Sequence, residues 1–362
     1  SGIVIDNNQI TNVGYMGMYL FYTNGVKVTG NTISAGSSAN AYYGLYCFYA
    51  YQSPDISENK ISGFYGMGMY VYYPQGTATN RTRIVNNSVI MKNTTLCYYG
   101  FYCYYPREAD IRNNTFVNNG TSSTSYYGAY IYVGTEANNK LYNNVFANLS
   151  GGYAAYVYIN TGYGSDMNYN NLYSTSTSML MTGNATSTSL AAWRTSTGFD
   201  NQSVSYDPAI TGPLDPKPNV NNPACWALNG HALQITGNVK DINGNTRIDN
   251  RVNGVPDIGA YEFDPEVMPP AAVATPATVD PGMTQVFTFA GNEVGRIKWG
   301  LRAPTVPVEV RQYSGEKGAG IAAAASPSGS MYFHTDVKPL GSGATYDFNY
   351  NLDYMDIWLG DI

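Results

Sequence analysis

Charge is scarce in this 362-residue chain. Only 12% of its residues are Asp, Glu, Lys or Arg, roughly half the share of an ordinary globular domain. The net charge is −6 and no basic stripe exists, which excludes the usual electrostatic footprint of a nucleic-acid partner. Histidine is scarcer still. His231 and His334 are the two in the sequence, and they fall in different predicted domains, so neither a His-based triad nor a zinc site is expected. Long apolar runs are missing, so no membrane span is expected. No signal peptide is found. The chain is inside a repeat by Ile5, which reads as a mature or truncated product. Cysteine is limited to Cys47, Cys97, Cys103 and Cys225.

What fills the sequence instead is Asn, Ser, Thr, Gly and above all Tyr, 35 residues against 12 Phe. Low charge with this composition reads as a protein of the extracellular space or a cell surface.

A two-part pattern recurs about every 23 to 32 residues, the mark of a solenoid. The first part is apolar-x-x-Asn-x-apolar: Ile5–Asn8–Ile10, Val28–Asn31–Ile33, Ile56–Asn59–Ile61, Ile84–Asn87–Val89, Ile111–Asn114–Phe116, Leu141–Asn144–Phe146 and Met167–Asn170–Leu172. The second is Gly-x-Tyr-x-aromatic: Gly17–Tyr19–Phe21, Gly44–Tyr46–Phe48, Gly68–Tyr70–Tyr72, Gly100–Tyr102–Tyr104 and Gly128–Tyr130–Tyr132, with Ala154–Tyr156–Tyr158 as a relaxed copy. Short segments of period two separated by Asn and Gly turns predict one coil of a parallel β-helix.

In the second part Met18/Leu20, Leu45/Cys47, Met69/Val71, Phe101/Cys103, Ala129/Ile131 and Ala155/Val157 are expected inside. The tyrosines and their aromatic partners then form two outward columns. These tyrosines (Tyr19, Tyr46, Tyr70, Tyr72, Tyr102, Tyr104, Tyr130, Tyr132, Tyr156, Tyr158) are the candidate ligand or interface stripe. The Asn column (Asn8, Asn31, Asn59, Asn87, Asn114, Asn144, Asn170) is read as structural, since Asn suits left-handed turns and stacks between strands. Cys47 and Cys103 fall two rungs apart in the inward column, too far for a disulfide. Cys97 and Cys225 can pair only if the tail folds back.

The stretch Asp241-Ile-Asn-Gly-Asn-Thr-Arg247 followed by Asp257-Ile-Gly-Ala-Tyr-Glu262 resembles the closing segment of right-handed parallel β-helix proteins secreted by bacteria, of the pectate-lyase-like superfamily. Asn222-Pro-Ala-Cys-Trp-Ala-Leu-Asn-Gly230 is similar to another stretch of that family, with Asn where the family has Ser. The resemblance spans about residues 1–263 and implies the fold; this architecture hosts lyases, hydrolases, epimerases, adhesins and structural proteins alike. The expected division is a β-helix over 1–200, in which Ser174–Asp200 loses the repeat as an irregular rung or lateral loop. A closing segment follows over 201–263, a linker over 264–275 and a small Ig-like β-sandwich over 276–362. The sandwich is similar to modules appended to surface proteins of the Bacteroidetes type. Its strand candidates are Val286–Phe289, Val308–Val310, Met331–Phe333 and an alternating strand with Tyr346, Phe348, Tyr350, Leu352 and Tyr354 on one face. The fold class is thus all-β.

Catalytic chemistry is hard to find. Polysaccharide-cleaving β-helices need clustered carboxylates, often with Ca²⁺ and a basic residue. The solenoid acids Asp6, Asp55, Glu58, Glu108, Asp110, Glu136 and Asp166 are expected mostly at turns, on no common face. Asp55 and Asp110 occupy equivalent positions with Arg83 between them, as in a charge-paired edge. Arg296-Ile-Lys298 and Gly230-His231 match fragments of polygalacturonase motifs whose paired Asp is absent. The Asp241–Asp249 run lacks the Gly a calcium loop needs at its sixth position, where Thr246 stands, so an Asp–Arg-pinned cap is expected there. No catalytic residue, metal or cofactor is expected. Asn-x-Ser/Thr motifs such as Asn80, Asn93, Asn119, Asn148, Asn184 and Asn201 are no more frequent than this composition produces by chance.

These readings point to a non-catalytic extracellular structural protein, an adhesin-like stalk or a fibre subunit. No capping helix precedes Ile3, and an amphipathic strand lies near the last residue, which suits head-to-tail strand contacts between copies. The alternative is a carbohydrate-binding or polysaccharide-active β-helix with the tyrosine stripe as sugar platform. The expected partner is the chain itself, or glycans, with no nucleic acid.

Overall fold

The first part of the repeat folds as two strands and the second as one, so each turn of chain contributes to three parallel sheets. The computed structural model describes residues 2–37, 40–93, 96–121, 126–134, 138–159, 164–183, 185–274, 282–289, 292–302, 306–315, 332–341 and 348–351. These divide into two compact units. The first contains residues 1–219, 238–247 and 257–263, and the second 220–237, 248–256 and 264–362.

In the first unit, sheet A runs from Val4–Asp6 through six further rungs to Asp166–Asn168, and sheet B from Gln9–Val13 to Asn171–Ser174. Sheet C stacks Met16–Asn24, Tyr43–Tyr51, Met67–Tyr72, Tyr99–Tyr104, Tyr127–Gly134 and Tyr153–Ile159. Pairing is parallel, and equivalent motif positions meet: Ile56 with Ile84, Ile84 with Ile111, Val89 with Phe116, Tyr102 with Tyr130. The inward apolar columns close into one core. Cys47 and Cys103 lie in it on either side of Val71, and burial pushes the Cys47 thiol up to about 12. Cys97 and Cys225 are buried thiols as well.

The Asn column sits where sheet A turns into sheet B. Asn31, Asn59, Asn87, Asn114, Asn144 and Asn170 are all fully buried. Each side-chain oxygen accepts from both the backbone N–H and the side-chain amide of the Asn one rung before it, as Asn114 does for Asn87 at 2.9 and 3.0 Å. The remaining amide hydrogen goes to a backbone carbonyl, Asn114 to Ile84 O at 2.8 Å. The residue preceding each ladder Asn is left-handed, with Asn86, Asn113 and Asn143 at φ 54°, 52° and 60°. This explains the doubled Asn: the first makes the turn and the second fills the ladder.

Glycine in the Gly-x-Tyr motif is required by close approach. A Cβ on Gly44 would stand 2.4 Å from both Gly68 O and the Ile61 side chain, and one on Gly100 2.6 Å from Gly128 O.

The Ser174–Asp200 segment is an irregular rung, ordered as a hairpin and a helix. Leu180–Thr182 adds a strand to sheet C, Ala185–Ser187 pairs back on it antiparallel, and helix α1 (Leu190–Thr197) follows. Ser189 caps the start of α1 and Gly198, at φ 76°, ends it. Trp193 enters the core of the solenoid and donates through Nε1 to Asp200 at 2.8 Å. Asp200, fully buried, accepts the side-chain amide of Asn170, while Ser203 Oγ accepts its backbone N–H. A carboxylate and a hydroxyl thus replace the next Asn and terminate the ladder. Burial raises the Asp200 carboxyl above its ordinary range.

Residues 238–247 and 257–263 lie against the outer side of sheet B. Tyr261 OH meets Ser88 Oγ at 2.7 Å, Ala260 N–H donates to Thr115 Oγ1, and Asn86 donates to Asn238 and Lys240 O. The expected Asp–Arg pin is corrected here. Arg247 pairs with Glu262 at 2.7 Å and donates to Asp257 O and Gly259 O, whereas Asp241 accepts backbone N–H groups of Asn243, Asn245 and Glu262.

In the second unit two three-stranded antiparallel sheets face one core. One holds Ala272–Ala274, Val308–Ser314 and Phe333–Pro339; the other holds Thr284–Phe289, Asn292–Trp299 and Phe348–Asn351. Ala272–Ala274 lies inside the expected linker and pairs with Val308–Val310. The Asn222–Gly230 stretch forms a short 3₁₀ turn over Pro223–Ala227, held to the sandwich by Asn229 and Ser314, which exchange side-chain hydrogen bonds with each other's carbonyls. Burial pushes the nearby His231 down to about 4, so this imidazole is neutral at pH 7.

Replacing Asn114 by Ala removes the acceptor of two buried donors and takes one donor from Ile84 O. At about 1–3 kcal/mol per stranded group, the loss should be about 3–5 kcal/mol in urea unfolding. Asn8→Ala, at the partly exposed end of the column, should cost about 1 kcal/mol or less. Equal losses at the two sites would show that the ladder does not depend on burial.

Candidate contact face

The predicted tyrosines come together on the outer side of sheet C. The first column stacks Tyr19, Tyr46, Tyr70, Tyr102, Tyr130 and Tyr156, with successive ring centroids 5.3, 4.3, 4.8, 4.9 and 4.5 Å apart and planes within 22° of parallel. The second stacks Phe21, Phe48, Tyr72, Tyr104, Tyr132 and Tyr158 at 4.6–5.5 Å and within 18°. Neighbouring rings along one strand, such as Tyr102 and Tyr104, are 6.1 Å apart. Each offset stack contributes about 0.5–1.5 kcal/mol beyond burial.

Two further columns were not singled out by the motif. Just before the motif Gly, Tyr43, Tyr99 and Tyr127 pack edge-on against Tyr46, Tyr102 and Tyr130, and Tyr99–Tyr127–Tyr153 stack at 5.7 and 5.3 Å. On the other flank stand Tyr22, Tyr49, Tyr73 and Tyr105, at φ 50°, 56°, 56° and 51°. A bulky residue in this left-handed region costs about 1–2 kcal/mol. At the turn between sheets A and B the chain meets the same demand with Asn or Gly on five rungs (Asn7, Gly30, Asn86, Asn113 and Asn143) and with Glu58 and Tyr169 on the other two. Retaining Tyr on four successive rungs therefore points to a need for the ring itself. The signal was present in the sequence as an extra Tyr directly after the second aromatic of the first four motif copies.

No charged residue stands in these four columns. Charge gathers instead on sheet A, where Lys27, Asp55, Arg83, Asp110, Lys140 and Asp166 alternate in register. Asp55, Asp110 and Asp166 therefore share a face, contrary to the expectation that the acids lie mostly at turns. Each is interleaved with a cation. Arg83 approaches Asp55 at 3.4 Å, and Asp110 is taken by Arg81 and Arg112, both at 2.8 Å. That is a paired edge, not a carboxylate cluster. Among the described residues no group of three or more His, Cys, Asp or Glu is placed to hold a metal ion, and no helix is long and apolar enough to cross a membrane.

Of the candidate intersubunit strand, Phe348–Asn351 pairs antiparallel with Arg296–Trp299 of its own chain; Tyr346, Leu352 and Tyr354 lie outside the described residues.

Stacking leaves ring edges and phenol oxygens, not ring faces, turned outward along most of the face. Tyr19 and Phe21 differ, with 53% and 50% of their surface exposed. Burial, then the mutual repulsion of neighbouring phenolates, pushes Tyr127 up to about 12. The same two causes raise Tyr70, Tyr102 and Tyr130 further.

Residues 1–146 match the family model described as a right handed beta helix region. No curated protein and no solved structure matches the chain.

A phenol whose folded pKa is raised contributes stability that is intact below its ordinary pKa of 10.0 and is lost as pH rises through the folded value, about 12 for Tyr127. Ultraviolet titration should show the stripe ionising later than free tyrosine, with β-sheet circular dichroism lost over the same interval. Ionisation at the ordinary tyrosine pKa with the fold intact would contradict the stacked arrangement.

Proposed function

We propose that this chain is a non-catalytic structural protein of a bacterial extracellular or cell-surface assembly, adhesin-like or fibre-forming, which associates with copies of itself through the aromatic face of sheet C. The observation that carries this reading is the four-column, charge-free tyrosine array, kept in part at the cost of left-handed backbone. Tyr enrichment and depletion of charge mark protein interfaces, and a broad exposed aromatic patch marks a contact site. Two copies share one rung repeat, so their faces can mate over many rungs at once. With α1, Trp193 and Asp200 across the last rung of the solenoid, side-by-side contact suits the geometry better than a head-to-tail strand contact there.

A sugar platform is the second reading. It is favoured at one place, the half-exposed rings of Tyr19 and Phe21. Elsewhere the stacking covers the ring faces on which a sugar would lie.

The double variant Tyr73→Asn/Tyr105→Asn removes two rings while suiting the left-handed backbone, so the fold should persist. Sedimentation velocity should then show concentration-dependent association of the parent chain weakened by about tenfold or more in the variant. Unchanged association would remove the face from the proposal. Retention on polysaccharide gels, lost on Tyr19→Ala/Phe21→Ala alone, would favour the sugar reading instead.

A further inference from the structure

Phenylalanine stacks as well as tyrosine, and Phe21 and Phe48 occupy two rungs of the second column. Stacking therefore does not require the hydroxyl groups of the other rings. What tyrosine adds is hydrogen bonding between the phenols of successive rungs, as at Tyr46–Tyr70 and Tyr130–Tyr156, and one-electron chemistry. Tyr46 and Tyr70 lie ring on ring, 4.3 Å apart and 2° from parallel. Tyr130 and Tyr156 are 4.5 Å apart at 6°, Tyr70 and Tyr102 4.8 Å at 9°, and Tyr102 and Tyr130 4.9 Å at 4°. Carbons of each ring thus lie close to those of the next rung. The sheet holds the pair in register, so coupling needs no diffusion and only a small tilt of two side chains. Cys47 and Cys103, the thiols nearest this sheet, are wholly buried on its inner side and shielded from a bulky oxidant, whereas on the outer side Tyr46, Tyr130 and Tyr156 are partly exposed and Tyr70 keeps 9% of its surface exposed.

We propose that the tyrosine ladder is an oxidative cross-linking site, in which peroxide-driven phenol oxidation joins rung neighbours of one chain as dityrosine, first at Tyr46–Tyr70 and Tyr130–Tyr156. The oxidant is hydrogen peroxide used by a haem peroxidase. Each phenol gives up one electron and its hydroxyl proton, and the peroxide takes two of each to become two waters. The two phenoxyl radicals combine through their ortho carbons. Each of those carbons then loses its hydrogen as a proton, and each oxygen regains one, restoring both aromatic rings. The net change is one carbon–carbon bond and the loss of two hydrogens per link. Such links tie one rung to the next and oppose stepwise opening of the solenoid.

The full chain is to be treated with peroxidase and hydrogen peroxide at a dilution where it sediments as a monomer. It is then read by dityrosine fluorescence, intact mass and peptide mapping. The expected result is a single-chain species lighter by two hydrogens per link, with yield independent of protein concentration and bonds mapping to Tyr46–Tyr70 and Tyr130–Tyr156. In Tyr70→Phe/Tyr130→Phe, which keeps the rings and so the stack, those links should vanish while any in the Tyr72–Tyr158 column remain. Absence of intrachain rung-neighbour links from the folded parent chain overturns the proposal, whether no dityrosine forms or it joins separate chains alone. Because the monomer is tested, that failure is separate from failure of the self-association reading.

Discussion

Parallel pairing between rungs decides what each side chain of the solenoid meets, because equivalent positions of successive turns are brought to one strand spacing from each other. An isolated buried Asn would leave donors and an acceptor unpaired. Placed in a column, its amide bridges to the next, and the set is satisfied except at its ends. The chain closes one end with Asp200 and Ser203. Columns of apolar residues close the core by the same rule, and alternating cations and anions down sheet A turn potential repulsion into pairing. Each column is favourable only if the register holds, so together they select that register over any shifted alternative.

The same constraint produces the aromatic face. Rings on successive rungs have no room to lie flat on the sheet, so they stand and stack. Stacking turns many separate tyrosines into a stiff surface of edges and hydroxyls. That surface suits contact with another flat, stiff surface better than the wrapping of a flexible ligand. The strained backbone at Tyr22, Tyr49, Tyr73 and Tyr105 widens it by a full column. The other turn uses Asn or Gly on five of its seven rungs and Tyr only once, at Tyr169, whereas here Tyr recurs on four successive rungs.

The solenoid was legible in the sequence because each place in the coil calls for its own residue type, with branched apolar residues inside, Asn at the ladder, Gly where backbones approach and Tyr outside. The motif read as two segments proved to be three strands, since the Asn turn separates sheet A from sheet B with too few residues between to mark a boundary. Helix α1 was not read because its eight residues carry a weak apolar pattern, with Trp193 alone buried; its role as a cap depends on Asp200 and Ser203, which local sequence does not connect to Asn170. The Arg247 partner was misassigned because Glu262 reaches it through the fold, not the chain. The charge column of sheet A was read only at Asp55, Arg83 and Asp110; Lys27, Lys140 and Asp166 were not joined to it because unequal turns space them and they align only once the rungs are closed.

The central claim is that the aromatic face of sheet C joins copies of this chain. Negative-stain electron microscopy of the purified protein across a range of concentrations tests it most directly. The account predicts single particles at low concentration that pair and bundle side by side as concentration rises. Isolated particles at every concentration would contradict it.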